Sequence, residues 1–356
     1  MNHDMGIYER LAGALDRLPN GFPRTLSNVE IPLLKKIFSL EEAALACQMG
    51  RTFEPAETIA ERAKHLPEET RARLMKMAER GLVWVDQDLP RPGFRLAPFI
   101  IGIIEDQVLQ TRDPELARLA DRYMAEGGAR GIMSPDPALH RVIPARGSVK
   151  SEWVLPYDDV RAILLTSKTF RARDCFCRTQ QDLVGGRRCS YPIRNCLIFS
   201  SESSAHSSEH EISQKEALAL LDEAEHIGLV HTVSNVAGGI GYVCNCCGCC
   251  CEILRAINDW GVENSVAAAN YFAVIDPDRC VGCGTCIDRC QVHAISKQEG
   301  VALVDLKRCI GCGLCVTGCP NGVARLERKQ EKELLQPPTD YITWEEERLR
   351  NRGLTE

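Results

Sequence analysis

Cysteine carries the chemistry that this chain could do. Two stretches repeat one pattern, Cys280-x2-Cys283-x2-Cys286-x3-Cys290 and Cys309-x2-Cys312-x2-Cys315-x3-Cys319-Pro320. Laid over each other at an offset of 29 residues, "DPDRCVGCGTCIDRC" matches "DLKRCIGCGLCVTGC", an internal repeat that fixes the reading of everything near it. Three thiols at i, i+3 and i+6 in a tight loop turn inward around one small centre, and thiolates suit soft metals. Gly282, Gly284, Gly311 and Gly313 let the loops take positive φ and bring backbone N–H groups close to the sulfurs. Zinc prefers its ligands in two separated pairs. Runs of four cysteines are the pattern of iron–sulfur ligation.

On these residues the stretch 276–328 resembles a bacterial-type ferredoxin domain with two [4Fe–4S] clusters. The resemblance implies that the fourth cysteine of each run serves the other cluster. One cluster would then sit on Cys280, Cys283, Cys286 and Cys319, and the other on Cys309, Cys312, Cys315 and Cys290. Gln291 stands where the family usually has Pro, which predicts a looser bend after Cys290.

Ten more cysteines lie upstream. A first group reads Cys175-x-Cys177-x11-Cys189-x6-Cys196, with Arg178, Arg187, Arg188 and Arg194 among the thiols. Cationic neighbours lower thiol pKa and offset the charge of thiolate ligands. A second, "VCNCCGCCCEIL", packs Cys244, Cys246, Cys247, Cys249, Cys250 and Cys251 into eight residues. Without a metal such thiols would repel one another when ionised or oxidise. Cys251 opens the helix expected over "CEILRAINDW" and reads as core. Cys175, Cys177, Cys189 and Cys196 form the first candidate ligand set, and Cys246, Cys247, Cys249 and Cys250 the second. One or two further iron–sulfur clusters are the expectation, with zinc or a redox-active thiol centre as alternatives. Over about residues 150–328 the chain is similar to multi-cluster ferredoxin-like proteins of anaerobes. In these a C-x-C…C…C loop and an N-C-C-x-C-C run precede a two-cluster ferredoxin.

The elements that must hold these loops read as an α+β chain. Residues 1–110 have helical periodicity: Leu33, Leu34, Ile37 and Phe38 share a face, and helices are expected over Pro55–Ala63 and Leu66–Val83. "LVWVD" and "GFRLAPF" follow as two short strands. Helices followed by a two-strand wing resemble a winged-helix domain. DNA binding would use the helix Glu68–Arg80, but Glu68, Glu69 and Glu79 alternate there with Arg71, Arg73, Lys76 and Arg80. Residues 1–100 carry 14 Lys/Arg against 14 Asp/Glu, too neutral to attract phosphates. A docking or structural module is therefore expected, and DNA is not. Residues 111–150 read as a linker, 151–270 as a cysteine-rich α+β domain, 271–328 as the ferredoxin domain and 329–356 as a charged tail. In the tail Tyr341, Ile342 and Trp344 either pack on their own domain or dock a partner. Within 151–270, Pro156–Leu165 reads as a helix, Ser213 with Glu216 forms a capping box, and "LVHTVSN" reads as a strand.

The whole chain sets outer bounds. Its 356 residues leave room for two or three domains, and its net charge is −6. Eighteen of nineteen cysteines fall between Cys175 and Cys319, which suits metal in a reducing cytoplasm better than disulfides. Cys47 reads as plain core. The longest apolar run, Leu96–Ile104, contains Pro98 and is too short for a membrane span. The motif His206-x-x-Glu209-His210 matches an inverted zinc-protease pattern but lies in a serine-rich polar stretch. "AGGIGYV" lacks the full dinucleotide signature and reads as a hairpin. Electron transfer with a partner oxidoreductase is the leading expectation. An iron–sulfur redox sensor acting through the N-terminal domain, or an oxidoreductase with a catalytic cluster in the middle domain, are the alternatives.

Overall fold

The computed structural model describes residues 2–202 and 210–354. Of the zinc-protease-like motif, His206 and Glu209 lie outside the described residues. Helices and strands are mixed, as an α+β chain requires. The chain divides into two compact units: Met1–Pro135 with Thr179–Gly186 and Arg348–Glu356, and Asp136–Arg178 with Arg187–Glu347.

The first unit opens with helices Asn2–Asp16, Glu30–Ile37 and Leu40–Ala46. Leu33, Leu34, Ile37 and Phe38 are all buried, as their shared face requires. The Leu40–Ala46 helix starts at a capping box in which Ser39 and Glu42 satisfy each other's backbone N–H. A two-residue strand β1 (Glu54–Pro55) leads into helices Ala56–Ala63 and Pro67–Glu79. A hairpin of β2 (Val83–Asp86) and β3 (Gly93–Leu96) completes a sheet of order β1-β3-β2. On the Pro67–Glu79 helix and just beyond it, Arg71 pairs with Glu57, Arg73 with Glu41 at 2.8 Å, and Arg80 with Glu42.

The second unit is built on a six-stranded sheet. Its strands are β4 (His140–Ile143), β5 (Thr169–Asp174), β6 (Arg194–Ser200), β7 (Val230–Ser234), β8 (Tyr242–Cys246) and β9 (Val266–Ala267). Their order is β5-β6-β8-β7-β4-β9, antiparallel except for β4 with β9. "AGGIGYV" joins β7 to the antiparallel β8, a hairpin. The helix expected after Pro156 begins as a 3₁₀ turn, Pro156–Asp158, and becomes α-helical only over Val160–Thr166. Asp159 caps that second piece by accepting from Ala162 N–H, so the regular helix starts after it rather than at the proline. Helix Gln214–His226 begins at the Ser213–Glu216 capping box.

The ferredoxin-type segment pairs β10 (Tyr271–Ile275) with β13 (Ala324–Arg328), and β11 (Ile295–Gln298) with β12 (Val301–Val304). The tail as far as Glu347 belongs to the same unit. Asn270 bonds the backbone of both Lys329 and Leu335. Trp344 is buried, and its Nε1 donates to the Ala138 carbonyl at 3.0 Å.

Candidate metal centres

Strand pairing explains how distant cysteines meet. Leu197 lies opposite Val243 on the β6–β8 ladder, so Cys196 and Cys244 come side by side at one end of the sheet. Cys175 follows β5, and its N–H donates to the Ile193 carbonyl at the entrance to β6. Cys244 and Cys246 point to the same face of β8, as i and i+2 must. Cys251 caps the helix Glu252–Asn258 and donates its N–H to the Cys247 carbonyl. Thiol contacts then close a circuit: Cys175, Cys177, Cys251, Cys246, Cys244, Cys196 and back to Cys175.

The remaining four upstream cysteines form a separate group. Cys189, Cys247, Cys249 and Cys250 place their sulfurs within 4.8 Å of one another. Cys189 lies 3.9 Å from Cys247 and 3.7 Å from Cys250, and Cys249 is 3.6 Å from Cys250. The ten cysteines thus divide six and four. Relative to the sequence-based sets, Cys189 stands with Cys247, Cys249 and Cys250, while Cys246 stands with Cys175, Cys177 and Cys196. Sequence reasoning left out Cys244 and assigned Cys251 to the core. The i, i+2 spacing of Cys244 and Cys246 on one strand face is the signal that could have found the first.

Arg178 faces both groups. It is 1% exposed, and its guanidinium donates to the carbonyls of Pro192 at 3.0 Å and Asn245 at 2.7 Å. Burial works against its charge, but Cys175 and Cys247 more than offset this and raise its pKa. Hydrogen bonds from Cys177 and Cys196 lower the pKa of Cys175, with a further contribution from Arg178. Cys244 and Cys251 bring Cys246 down to about 5. Cys249 and Cys250 lower Cys247, again helped by Arg178. The same interactions raise Cys177, Cys196, Cys244 and Cys251 in the first group and Cys249 and Cys250 in the second, so the protons are shared unevenly within each group.

In the ferredoxin-type segment two cavities face the sulfurs. One is lined by Cys280, Cys283, Cys286 and Cys319. The other is lined by Cys309, Cys312, Cys315 and Cys290. The loops that carry them need glycine. Gly282 and Gly311 have φ of 63° and 72°, and a Cβ there would stand 1.9 Å from the Gly300 carbonyl and 2.3 Å from that of Tyr271. Backbone N–H groups reach the sulfurs: Ala302 donates to Cys280 at 3.5 Å and Ala294 to Cys290 at 3.1 Å. Four thiols around a cavity, with glycines where a Cβ would clash and N–H donors at the sulfur, fit a cubane cluster.

The two cavities differ in environment. Cys283 is exposed, and the backbone and hydroxyl of Thr285 lower its pKa. Around the second cavity burial pushes Cys290 and Cys312 up, and Cys315 to about 12. Gln291 does not loosen the bend after Cys290. Its side chain accepts from Gly248 N–H at 2.7 Å and donates to Tyr191 Oη at 3.1 Å and the Gly228 carbonyl at 2.8 Å. Gly248 sits between Cys247 and Cys249, and a Cβ on it would stand 2.0 Å from the Gln291 carbonyl. One residue thus ties the second ferredoxin loop to the four-thiol loop.

A further cavity of about 320 Å³ lies beside the same loop, lined among others by Ala145, Glu225, His231 and Tyr271. Ala145 N–H donates to the Cys312 carbonyl at 2.8 Å. His231 is buried, and its Nδ1 bonds Asn245 Oδ1 at 2.7 Å. Asn245 spends its amide N–H groups on Asn195, so it accepts from His231 and leaves Nε2 as the base. That Nε2 stands 3.9 Å from Glu225 Oε2. Burial lowers the pKa of His231 and raises that of Glu225.

Residues 273–326 match the family described as a 4Fe-4S dicluster domain. Among curated proteins none matches the chain. The chain therefore carries a C-terminal ferredoxin-type domain. Among the described residues no helix is long and apolar enough to cross a membrane.

Proposed function

We propose that the chain is a multi-cluster electron carrier that passes electrons to or from a partner oxidoreductase. Two [4Fe–4S] clusters are held by the ferredoxin-type domain, one on Cys280, Cys283, Cys286 and Cys319 and the other on Cys309, Cys312, Cys315 and Cys290. At least one more cluster is held by the six-thiol group. The observation that carries this reading is the pair of four-cysteine cavities, each completed by the fourth cysteine of the opposite run. When bound, such clusters supply one-electron oxidation and reduction.

The chain's own residues decide where electrons enter and leave. Exposed Cys283 opens the first site to a partner's surface. The second site is buried and linked to the upstream cysteines through Gln291. Arg178 holds compensating charge between the two upstream thiol groups. Anaerobic purification of the full chain, with iron and acid-labile sulfide counts and EPR of the reduced protein, tests the reading. More than about eight irons per chain is expected, because two cubanes account for eight. A reconstituted protein that stops at eight would remove the cluster from the six-thiol group.

The 320 Å³ cavity favours a second reading, an oxidoreductase. It is large enough for a small substrate, lies one hydrogen bond from the Cys312 loop, and offers Glu225 and His231 as proton-handling groups. Saturable turnover of a small electron acceptor would mark it.

For the N-terminal unit we propose a winged-helix-like docking module. Its order of a helix, a short strand, two helices and a hairpin supports the likeness. Arg71, Arg73 and Arg80 are already paired with carboxylates. With these three cations engaged and residues 1–100 carrying as many Asp/Glu as Lys/Arg, the phosphate term that dominates DNA affinity is weak. No sequence-specific DNA complex tighter than about 10⁻⁸ M is expected at physiological salt. A gel-shift selection yielding one would promote the redox-sensor reading.

A further inference from the structure

We propose that Cys189, Cys247, Cys249 and Cys250 bind a single Zn²⁺ ion as a tetrathiolate, distinct from every iron–sulfur site of the chain. The argument is metric. A tetrahedral zinc with Zn–S bonds of about 2.3 Å places its sulfurs about 3.8 Å apart. The three close sulfur pairs here stand 3.6, 3.7 and 3.9 Å apart, and all four sulfurs lie within 4.8 Å of one another. A cubane interposes irons and sulfides between its thiolates, so they must stand further apart than those of a one-ion site. The chain supplies its own comparison. Among the described residues no other three Cys, His, Asp or Glu ligand atoms close to within 4.8 Å of one another, and the eight ferredoxin-type thiols instead surround cavities.

The surroundings suit a structural ion. Four thiolates around Zn²⁺ leave a net charge of −2, and buried Arg178 faces Cys247 to offset part of it. Cys247 and Cys250 are buried against Ala224 and Leu229, which keeps water from an open coordination position. A closed tetrathiolate is the structural form of zinc site and does no redox chemistry. Its role here is to fasten the irregular segment around Cys189 to the loop after β8, holding Gly248 where Gln291 grips it. Binding displaces the remaining thiol protons to solvent, with no change of oxidation state.

The test uses the full chain, produced with both zinc and iron supplied and purified anaerobically. About one zinc per chain is expected, with a zinc-edge X-ray absorption spectrum of four sulfurs at about 2.3 Å and no iron neighbour. Cys249→Ser with Cys250→Ser should lose the zinc while the iron and sulfide count stays unchanged. If that variant fails to fold, the wild-type spectrum decides alone. Absent zinc, zinc with a mixed nitrogen or oxygen shell, or iron in its place would overturn the proposal. Zinc stoichiometry and iron count are read separately, so this inference and the six-thiol cluster fail independently.

Discussion

Cys319→Ala is expected to damage the cluster site of Cys280, Cys283 and Cys286, although Cys319 follows the other run in sequence. The cavity geometry sets the expectation, since Cys319 lines the first cavity and Cys290 the second. Electrostatic contact runs the same way: Cys319 raises Cys286, and Cys309 raises Cys290, after burial in both cases. Removing one thiolate exposes one iron position, so the damaged site should become labile or lose an iron. The other site keeps four ligands and should be unchanged. Cys290→Ala should do the reverse. Its site is the more buried and is braced by Gln291, which slows exchange with solvent. Mössbauer spectroscopy with ⁵⁷Fe, or paramagnetic NMR of the surviving cluster, reads which set remains. Loss of the Cys309–Cys315 site in Cys319→Ala would show that ligation is not crossed.

The two C-x-x-C-x-x-C runs were legible because their chemistry is local: the loop that binds is the loop that is written. The capping box at Ser213 and the strand from Val230 to Ser234 were legible for the same reason. The upstream thiols were not. Cys189 meets Cys247 across 58 residues, brought there by the β6–β8 pairing and the loops at its end. No spacing rule within one segment encodes that meeting. Cys251 looked like core because it opens a helix, and it does cap one, but the cap turns its thiol toward Cys177 and Cys246. At Gln291 the sequence marked a departure from the family without showing its use. The use is a long-range bond to Gly248, a contact between two cysteine loops.

Arg178→Met should be among the most damaging single changes outside the cysteines. The guanidinium is 1% exposed, and the methionine that replaces it leaves the buried Asn245 carbonyl and the part-buried Pro192 carbonyl without their donor. It also leaves the thiolate charge of Cys175 and Cys247 uncompensated. Breaking a buried charge pair from one side costs on the order of 3–5 kcal/mol, because the partner charge stays behind. The loss should fall on the middle of the chain: metal bound by the ten upstream cysteines drops, while the ferredoxin-type spectrum persists. Arg178→Lys keeps the charge but not the fork that reaches both carbonyls, so an intermediate loss is expected. Arg325 supplies the control. Its pair with Glu327 is 56% and 41% exposed, and Arg325→Ala should change stability by only a few tenths of a kcal/mol, up to about 1. Chemical denaturation followed at the cluster absorbance, with metal analysis of each variant, measures both. An Arg178→Met protein with wild-type stability and metal content would show that the upstream thiols do not carry the charge that Arg178 is placed to balance.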